Sequence, residues 1–454
     1  MAFTSINPAT GEVYATFEEH DAAEVDRRLS LAKDAFEQWK HVDLEQRARL
    51  MTTAAELLES ELPVQAEAMT REMGKTFAAA KGEAGKCAMT MRYYAEHAAT
   101  LLADRTIVSS GSRSGVRYEP IGPVLAVMPW NFPLWQVIRF AAPTLMAGNV
   151  VVLKHASNVP NAAIAMENLF RRAGFPEGCF VNLLIGSKRV ADVIRDERIA
   201  AVTLTGSEAA GESVASIAGS VLKKCVLELG GSDPFVVAQS VDMDLAVPMA
   251  VTARTQNNGQ ACIAAKRFIV VESRAEEFTE RFSAAMGALV VGDPMDPATN
   301  VGPLATKGQL EETRIQVAES VAKGAIVTAG GKALDGPGYY YEPTVLTNIT
   351  GDMPAGCQEM FGPVAAVYVA SDLAHAVAIA NDTPWGLGAS IWATDDAEQR
   401  YGLENLSAGM VFANQMVSSM PELPFGGIGR SGYGRELSDV GMYEFCNQKS
   451  FYVA

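Results

Sequence analysis

Between residues 20 and 105, apolar positions recur at intervals of three and four, for example over Ala22 to Trp39 and Leu44 to Glu59, in segments rich in Ala, Glu, Leu and Arg. That spacing puts one apolar stripe on one side of a 3.6-residue helix, so the pattern predicts long amphipathic helices. From about residue 121 the texture changes to short apolar runs: Val124 to Met128, Val150 to Lys154, Val181 to Ile185, Ala201 to Leu204 and Val226 to Leu229. Helical segments such as Asn161 to Arg172, closed by Gly174, separate them. Strands apolar on both faces that alternate with helices are what a parallel, doubly wound sheet requires. After Gly230 and Gly231 the alternation restarts. Strands are predicted at Phe235 to Val237, Arg267 to Val271, Ala325 to Ala329, Val364 to Val369, Gly388 to Ala393 and Met410 to Ala413, with helices such as Asp244 to Thr255 and Arg274 to Leu289 between them. A second α/β domain is expected. Thr106 to Glu119 and Phe445 to Val453 read as extended but belong to neither sheet, and such orphan strands usually pair with each other or with another subunit.

The 454 residues, 48% hydrophobic and 20% charged, are enough to bury large cores in two or three domains. The longest apolar stretch, Gly122 to Ala147, is broken by Pro129, Pro133 and Pro143 and carries Arg139, so it does not form a membrane span. The opening MAFTSINPATGEVYATF lacks a basic segment followed by an apolar run, and no secretory signal is expected. A net charge of −16 repels phosphate backbones and anionic lipid, which argues against nucleic acid and membranes as partners. Six cysteines without CxxC pairing and only five histidines suggest neither a disulfide framework nor a metal site, and fit a reducing, cytoplasmic setting.

Three segments carry candidate chemistry. In Gln256-Asn257-Asn258-Gly259-Gln260-Ala261-Cys262, a polar turn after a predicted helix delivers one cysteine. Amides around such a turn favour inward-pointing backbone donors, which lower the cost of a thiolate and of an oxyanion formed beside it. The plainer alternative is a small buried cysteine. In Val226-Leu227-Glu228-Leu229-Gly230-Gly231 a carboxylate ends an apolar strand, where α/β folds place their ligands. An apolar mouth raises the pKa of Glu228 and suits it to act as a general base; the alternative is a salt-bridged or solvent-facing glutamate. In Met128-Pro129-Trp130-Asn131-Phe132-Pro133 one amide sits among rings and prolines, and Asn131 either points its NH2 at developing negative charge or caps the next helix.

The motifs MPWNFP, VLELGG, the Gly-Gln-x-Cys turn, EMFGPV and PFGGIGRSGYGRE, in this order, resemble the aldehyde dehydrogenase superfamily over essentially the whole chain. LKHA and ELGGSDPF, where many relatives carry LKPSE and ELGGKSP, are most similar to the short bacterial succinate-semialdehyde dehydrogenases. The resemblance implies Cys262 as nucleophile, Glu228 as base, and the Asn131 carboxamide with the Cys262 N–H as oxyanion hole. For the cofactor it implies Ser207, in Thr205-Gly206-Ser207-Glu208-Ala209-Ala210-Gly211, at the pyrophosphate, Lys154 at the adenosine ribose, and Glu359 and Phe361 at the nicotinamide half, with Trp130, Gly206 and Gly211 also in the cofactor site. Ser157 replaces the glutamate that NAD-preferring relatives carry, so NADP is the expected preference, with NAD usable. The alternative is that Ser157 merely caps the helix near Asn161. Arg139 and Ser419 are candidate contacts for a substrate carboxylate, the alternative for Arg139 being a structural salt bridge. Gln256 stands where some succinate-semialdehyde dehydrogenases have a second arginine, so a two-arginine clamp is absent. The expected substrate is a short ω-carboxy aldehyde, succinate semialdehyde first and glutarate semialdehyde next. A thiol esterase without a redox step and a non-catalytic structural protein are the competing classes.

The expected architecture is thus α/β, with two doubly wound Rossmann-like domains plus a small β oligomerisation element. Residues 1–105 and 121–229 would form the cofactor-binding domain, 230–430 the catalytic domain, and 106–120 with 431–454 the element that joins a homodimer or homotetramer.

Overall fold

The computed structural model describes residues 2–454. Its first sheet has six strands in the order Gly432–Tyr433, Lys224–Glu228, Ala201–Thr205, Pro123–Met128, Val150–His155 and Phe180–Asn182, all parallel except the first pair. Its second has seven, ordered Ile326–Ala329, Thr344–Thr347, Val364–Ala370, Arg267–Val271, Pro234–Val237, Gly388–Trp392 and Met410–Ala413, again parallel save for the first pair. Helices cover both, as wholly buried parallel strands demand; every residue of Val150–His155 is buried. The two orphan stretches pair with each other. Cys446–Val453 runs antiparallel to Arg113–Pro120 from Cys446 opposite Pro120 to Val453 opposite Arg113, and Arg105–Thr106 completes a three-stranded sheet.

Three local readings change. The strand expected over Val181 to Ile185 is Phe180–Asn182, because the Ile185 N–H turns back to the Leu183 carbonyl and the chain leaves the sheet. The stretch expected as extended over Thr106 to Glu119 is split: Thr106 ends the short strand Arg105–Thr106, and the long strand starts only at Arg113. An antiparallel pair, Ala2–Ile6 with Val13–Glu18, and the strand Thr344–Thr347 lie outside the predicted elements; the first is largely exposed and the second has only four residues, too short for periodicity to show.

In the first sheet the chain steps outward from Pro123–Met128 through Val150–His155 to Phe180–Asn182, then returns to the other side with Ala201–Thr205 and Lys224–Glu228. The order therefore reverses between Pro123–Met128 and Ala201–Thr205. Loops leaving the carboxyl ends of strands at such a point diverge and leave a crevice. The Pro123–Met128 strand feeds the helix Trp135–Met146, all of whose residues are buried. Helices outside the sheet satisfy its two ends. Glu83 accepts the N–H groups of Leu134 and Trp135 at 2.8 and 2.9 Å, and Arg47 donates to the Met146 carbonyl at 3.0 Å. An anion at the N-terminus and a cation at the C-terminus complement the helix dipole. Glu83 is itself ion-paired with Lys75, both fully shielded from solvent, and the Lys75 ammonium lies 4.2 Å over the Phe132 ring.

Removing one member of a buried pair leaves the other charge uncompensated. Lys75→Met is therefore expected to lower unfolding stability by about 3–5 kcal/mol, measured by urea denaturation of the purified protein. A loss under about 1 kcal/mol would show that the pair does not hold the start of this helix.

Candidate active site

The crevice is a cavity of about 520 Å³, and all three neighbouring strand ends contribute to it: Pro129, Trp130 and Asn131; Thr205, Gly206 and Ser207; Leu229 and Gly230. Cys262, Glu359 and Phe361 approach from the other side. Trp130 and Phe361 meet edge to face, centroids 5.8 Å apart. A Cβ on Gly230 would stand 2.3 Å from the Glu359 carboxylate, so a larger residue there would displace that side chain.

Cys262 is delivered by a left-handed turn. Asn257, Asn258 and Gly259 have φ of +53°, +57° and +77°, and a Cβ on Gly259 would stand 2.4 Å from the Gly362 carbonyl carbon. Left-handed residues in succession are costly for L side chains, and side-chain amides hold these in place. Asn257 Nδ2 donates to the carbonyls of Asn131 and Gln260 at 2.7 and 3.0 Å; Asn258 Nδ2 donates to those of Gly74 and Pro303 at 2.8 and 3.0 Å. Gln260 Oε1 accepts the Ala305 N–H at 2.9 Å. Two buried cations hold the carbonyls that follow. Arg254 donates to Gly259 at 2.6 Å, and the Lys266 ammonium to Ala261 at 2.9 Å and also to Cys262. Within a trans peptide C=O and N–H point opposite ways, so the Ala261 carbonyl on Lys266 turns the Cys262 N–H the other way. That N–H meets no protein acceptor among the described residues.

Asn131 lies beside this turn and is not a helix cap: the cap position is Leu134, and Glu83 takes the N–H groups. Its Nδ2 donates to the Gln260 carbonyl at 3.1 Å, leaving one hydrogen of the amide. The Cys262 thiol is pushed up to about 11 by burial, against the pull of Arg139 and Lys266. The expected low-cost thiolate is therefore absent at rest, because desolvation outweighs two cations.

Several sequence-predicted residues lie outside the cavity. Glu228 is 2% exposed, neither carboxylate oxygen has a hydrogen-bond partner, and Oε1 is 2.7 Å from where a Cβ on Gly426 would be. Burial, and then the nearby Glu436, push its pKa well above the carboxylate range. Arg139 is corrected as a substrate ligand. It is 1% exposed, ion-paired through Nε with Glu436, and stacked 4.2 Å over the Phe425 ring, so its charge is already neutralised inside the protein. Ser419 accepts from Lys86 at 2.6 Å and lines a neighbouring cavity of about 440 Å³. Gly211 packs against Leu229, where a Cβ would fall at 2.7 Å. Lys154 and Ser157 lie at the end of the adjacent strand, Lys154 buried and Ser157 exposed. Ser157 is not a helix cap. The helix Pro160–Arg172 begins at Val159 without a side-chain cap, and the Glu72 carboxylate takes the N–H groups of Asn161 and Ala162.

Sequence reasoning missed Gln136, which lines the cavity with an unpartnered Oε1, and the structural work of Lys266 and Arg254. A glutamine one position past Trp135 in a mostly apolar helix was the available signal for Gln136; nothing in the spacing marks the two cations.

The aldehyde dehydrogenase family profile matches residues 1–451. The chain belongs to the aldehyde dehydrogenase family. This aldehyde dehydrogenase is 53% identical to the succinate-semialdehyde dehydrogenase [NADP(+)] of Mycobacterium leprae, over 100% of both chains. It is 54% identical to the protein of the same name from Mycobacterium avium, covering 100% of this chain and 97% of that one. Among solved structures, the succinic semialdehyde dehydrogenase of Streptococcus pyogenes in complex with NADP+ superposes with a TM-score of 0.97 at 37% identity, covering 99% of each chain.

The raised thiol pKa has a direct chemical consequence, since only the thiolate alkylates. Iodoacetamide modification of Cys262 in the cofactor-free enzyme is expected to be slow at pH 7 and to rise by about tenfold per pH unit toward pH 10. Peptide mass spectrometry separates it from the exposed Cys357. Rapid, pH-independent labelling of Cys262 near neutrality would mean that the thiolate is already formed.

Proposed function

We propose that this enzyme oxidises succinate semialdehyde to succinate with NADP+ as the preferred oxidant and NAD+ as a usable one. The observation that carries the reading is the meeting of Cys262, Asn131 and an unused backbone N–H in one cavity with the Trp130–Phe361 pair and Glu359. The names of the Mycobacterium and Streptococcus relatives support the substrate and the cofactor.

The residues present fit a dinucleotide. Gly206 and Ser207 open the helix Glu208–Ser220 at the cavity wall, whose first N–H groups suit a pyrophosphate, while Gly230 leaves room beside Glu359. Lys154, with no carboxylate within ion-pair distance among the described residues, and the exposed Ser157 offer a cation and a hydroxyl to a ribose 2′-phosphate. Bound NADP+ supplies the acceptor for a hydride. Cys262 gives its proton to water and forms a C–S bond to the aldehyde carbon, and the oxygen takes the electron pair of the C=O bond. The Cys262 N–H and the free hydrogen of the Asn131 amide hold that oxyanion. Loss of hydride from the same carbon leaves a thioester on Cys262. Glu228, once out of its dry niche beside Gly426 and ionised, takes a proton from the water that cleaves the thioester, releasing succinate and the thiol.

The wild type is expected to form NADPH and succinate from succinate semialdehyde, and Cys262→Ala to form neither. Persistent NADPH formation in that variant would end the assignment of the nucleophile. In Ser157→Glu a carboxylate faces the 2′-phosphate, and the ratio of kcat/KM for NADP+ over NAD+ is expected to fall by about tenfold or more. A wild type that already favours NAD+, or a ratio the substitution does not move, removes Ser157 from the cofactor argument.

The protein further reads as a cytoplasmic homo-oligomer, dimer or tetramer. The Cys446–Val453 strand forms an edge of its sheet and exposes Tyr452 and Val453, an arrangement that soluble proteins cover. Light scattering at micromolar concentration is expected to give a multiple of the chain mass, and a monomer would contradict it.

A further inference from the structure

Lys86, in the helix Phe77–Leu101, is half-buried and has no carboxylate within 4 Å among the described residues. The acid one turn before it, Glu83, is taken by Lys75 and by two backbone N–H groups. The Lys86 ammonium lies 4.2 Å over the Trp135 ring and donates one hydrogen bond, to Ser419 Oγ at 2.6 Å. Burial, with Arg139 nearby, pulls its pKa down to about 8, so at neutral pH it is a cation held in poor solvent with donors to spare. A cation over an aromatic face and against one hydroxyl is compensated in part only.

Two chain links connect the contacts of this cation to the catalytic groups. Trp135, under Lys86, is followed by Gln136, which lines the cavity that holds Cys262. Ser419, bonded to Lys86, lines the smaller cavity with Phe425, and the next residue, Gly426, lies against the Glu228 carboxyl. The nearby guanidinium, Arg139, is unavailable because Glu436 holds it.

We infer that Lys86, assisted by the Ser419 hydroxyl, is the group that binds the terminal carboxylate of the aldehyde substrate and sets the preference for ω-carboxy aldehydes. The inference rests on the substrate reading above and names the residue responsible for it. An aldehyde with its reactive carbon at Cys262 and a carboxylate on Lys86 completes the ion pair that the protein leaves open. A neutral aldehyde of equal length gains nothing from that cation.

The test compares kcat/KM for succinate semialdehyde and for butanal in the wild type, Lys86→Met, Lys86→Arg and Ser419→Ala. The wild type is expected to favour the charged substrate. In Lys86→Met the charged-to-neutral ratio should fall by about 10- to 100-fold, chiefly through KM for succinate semialdehyde. Lys86→Arg should restore part of it and Ser419→Ala should lose a smaller factor. Equal losses for both aldehydes in Lys86→Met, unrepaired by arginine, would make Lys86 a structural residue and overturn the inference. A wild-type preference that persists undiminished in Lys86→Met overturns it while leaving the substrate reading intact. A wild type indifferent to the carboxylate overturns the substrate reading and the anchor together. If Lys86→Met fails to fold, the ratios in Lys86→Arg and Ser419→Ala decide: an unmoved ratio in both overturns the inference.

Discussion

The site depends on the fixing of the carbonyl groups around Cys262. Backbone in three consecutive left-handed residues has no helical or sheet partner, and each buried carbonyl would be an unmet acceptor. Arg254 and Lys266 meet those of Gly259, Ala261 and Cys262 with charge-assisted bonds, and the amides of Asn257 and Asn258 fasten the turn to segments far away in sequence. The chemical result follows from peptide geometry alone. When the carbonyls are drawn toward the cations, the Cys262 N–H is aimed elsewhere, and the Asn257 amide ties the Asn131 backbone to the same turn. Cys262 and its neighbouring donors are positioned by one set of bonds.

The second constraint is an imbalance of charge behind the cavity. Arg139, Glu228 and Glu436 are all buried, which gives one cation to two carboxyls. Glu436 has the direct contact with Arg139, while Glu228 has none, and burial raises the pKa of both carboxyls. Burial is the leading cause of the raised pKa of both Glu228 and Cys262, so the dry surroundings disfavour charge on either group.

Much of this was legible before the fold. The parallel strands announce themselves as apolar runs, and Arg267–Val271 and Met410–Ala413 fall where the pattern puts them. The loops that meet in the cavity are the ones whose Pro, Gly and amide content broke those runs. What was not legible depends on partners remote in sequence. The fate of Arg139 is set by Glu436, 297 residues away, and that of Ser419 by Lys86, 333 residues away. No local pattern distinguishes a guanidinium waiting for substrate from one already paired. The burial of Glu228 was likewise hidden, because a strand-terminal glutamate reads the same whether it faces the crevice or the dry side of Gly426.

The division of labour between the sheets explains why the chemistry sits where it does. The first sheet contributes loops from the carboxyl ends of its strands, and these are shaped by the reversal of strand order, with Trp130, Gly206 and Gly230 following from topology. The second contributes Cys262 from a turn leading into Arg267–Val271, together with Glu359 and Phe361 ahead of Val364–Ala370. The cavity exists only where these meet, and on the second sheet's side Lys266 binds both the Cys262 turn and Glu359, 3.3 Å away. One buried ammonium thus links the carbonyls of the Cys262 turn to the Glu359 carboxylate.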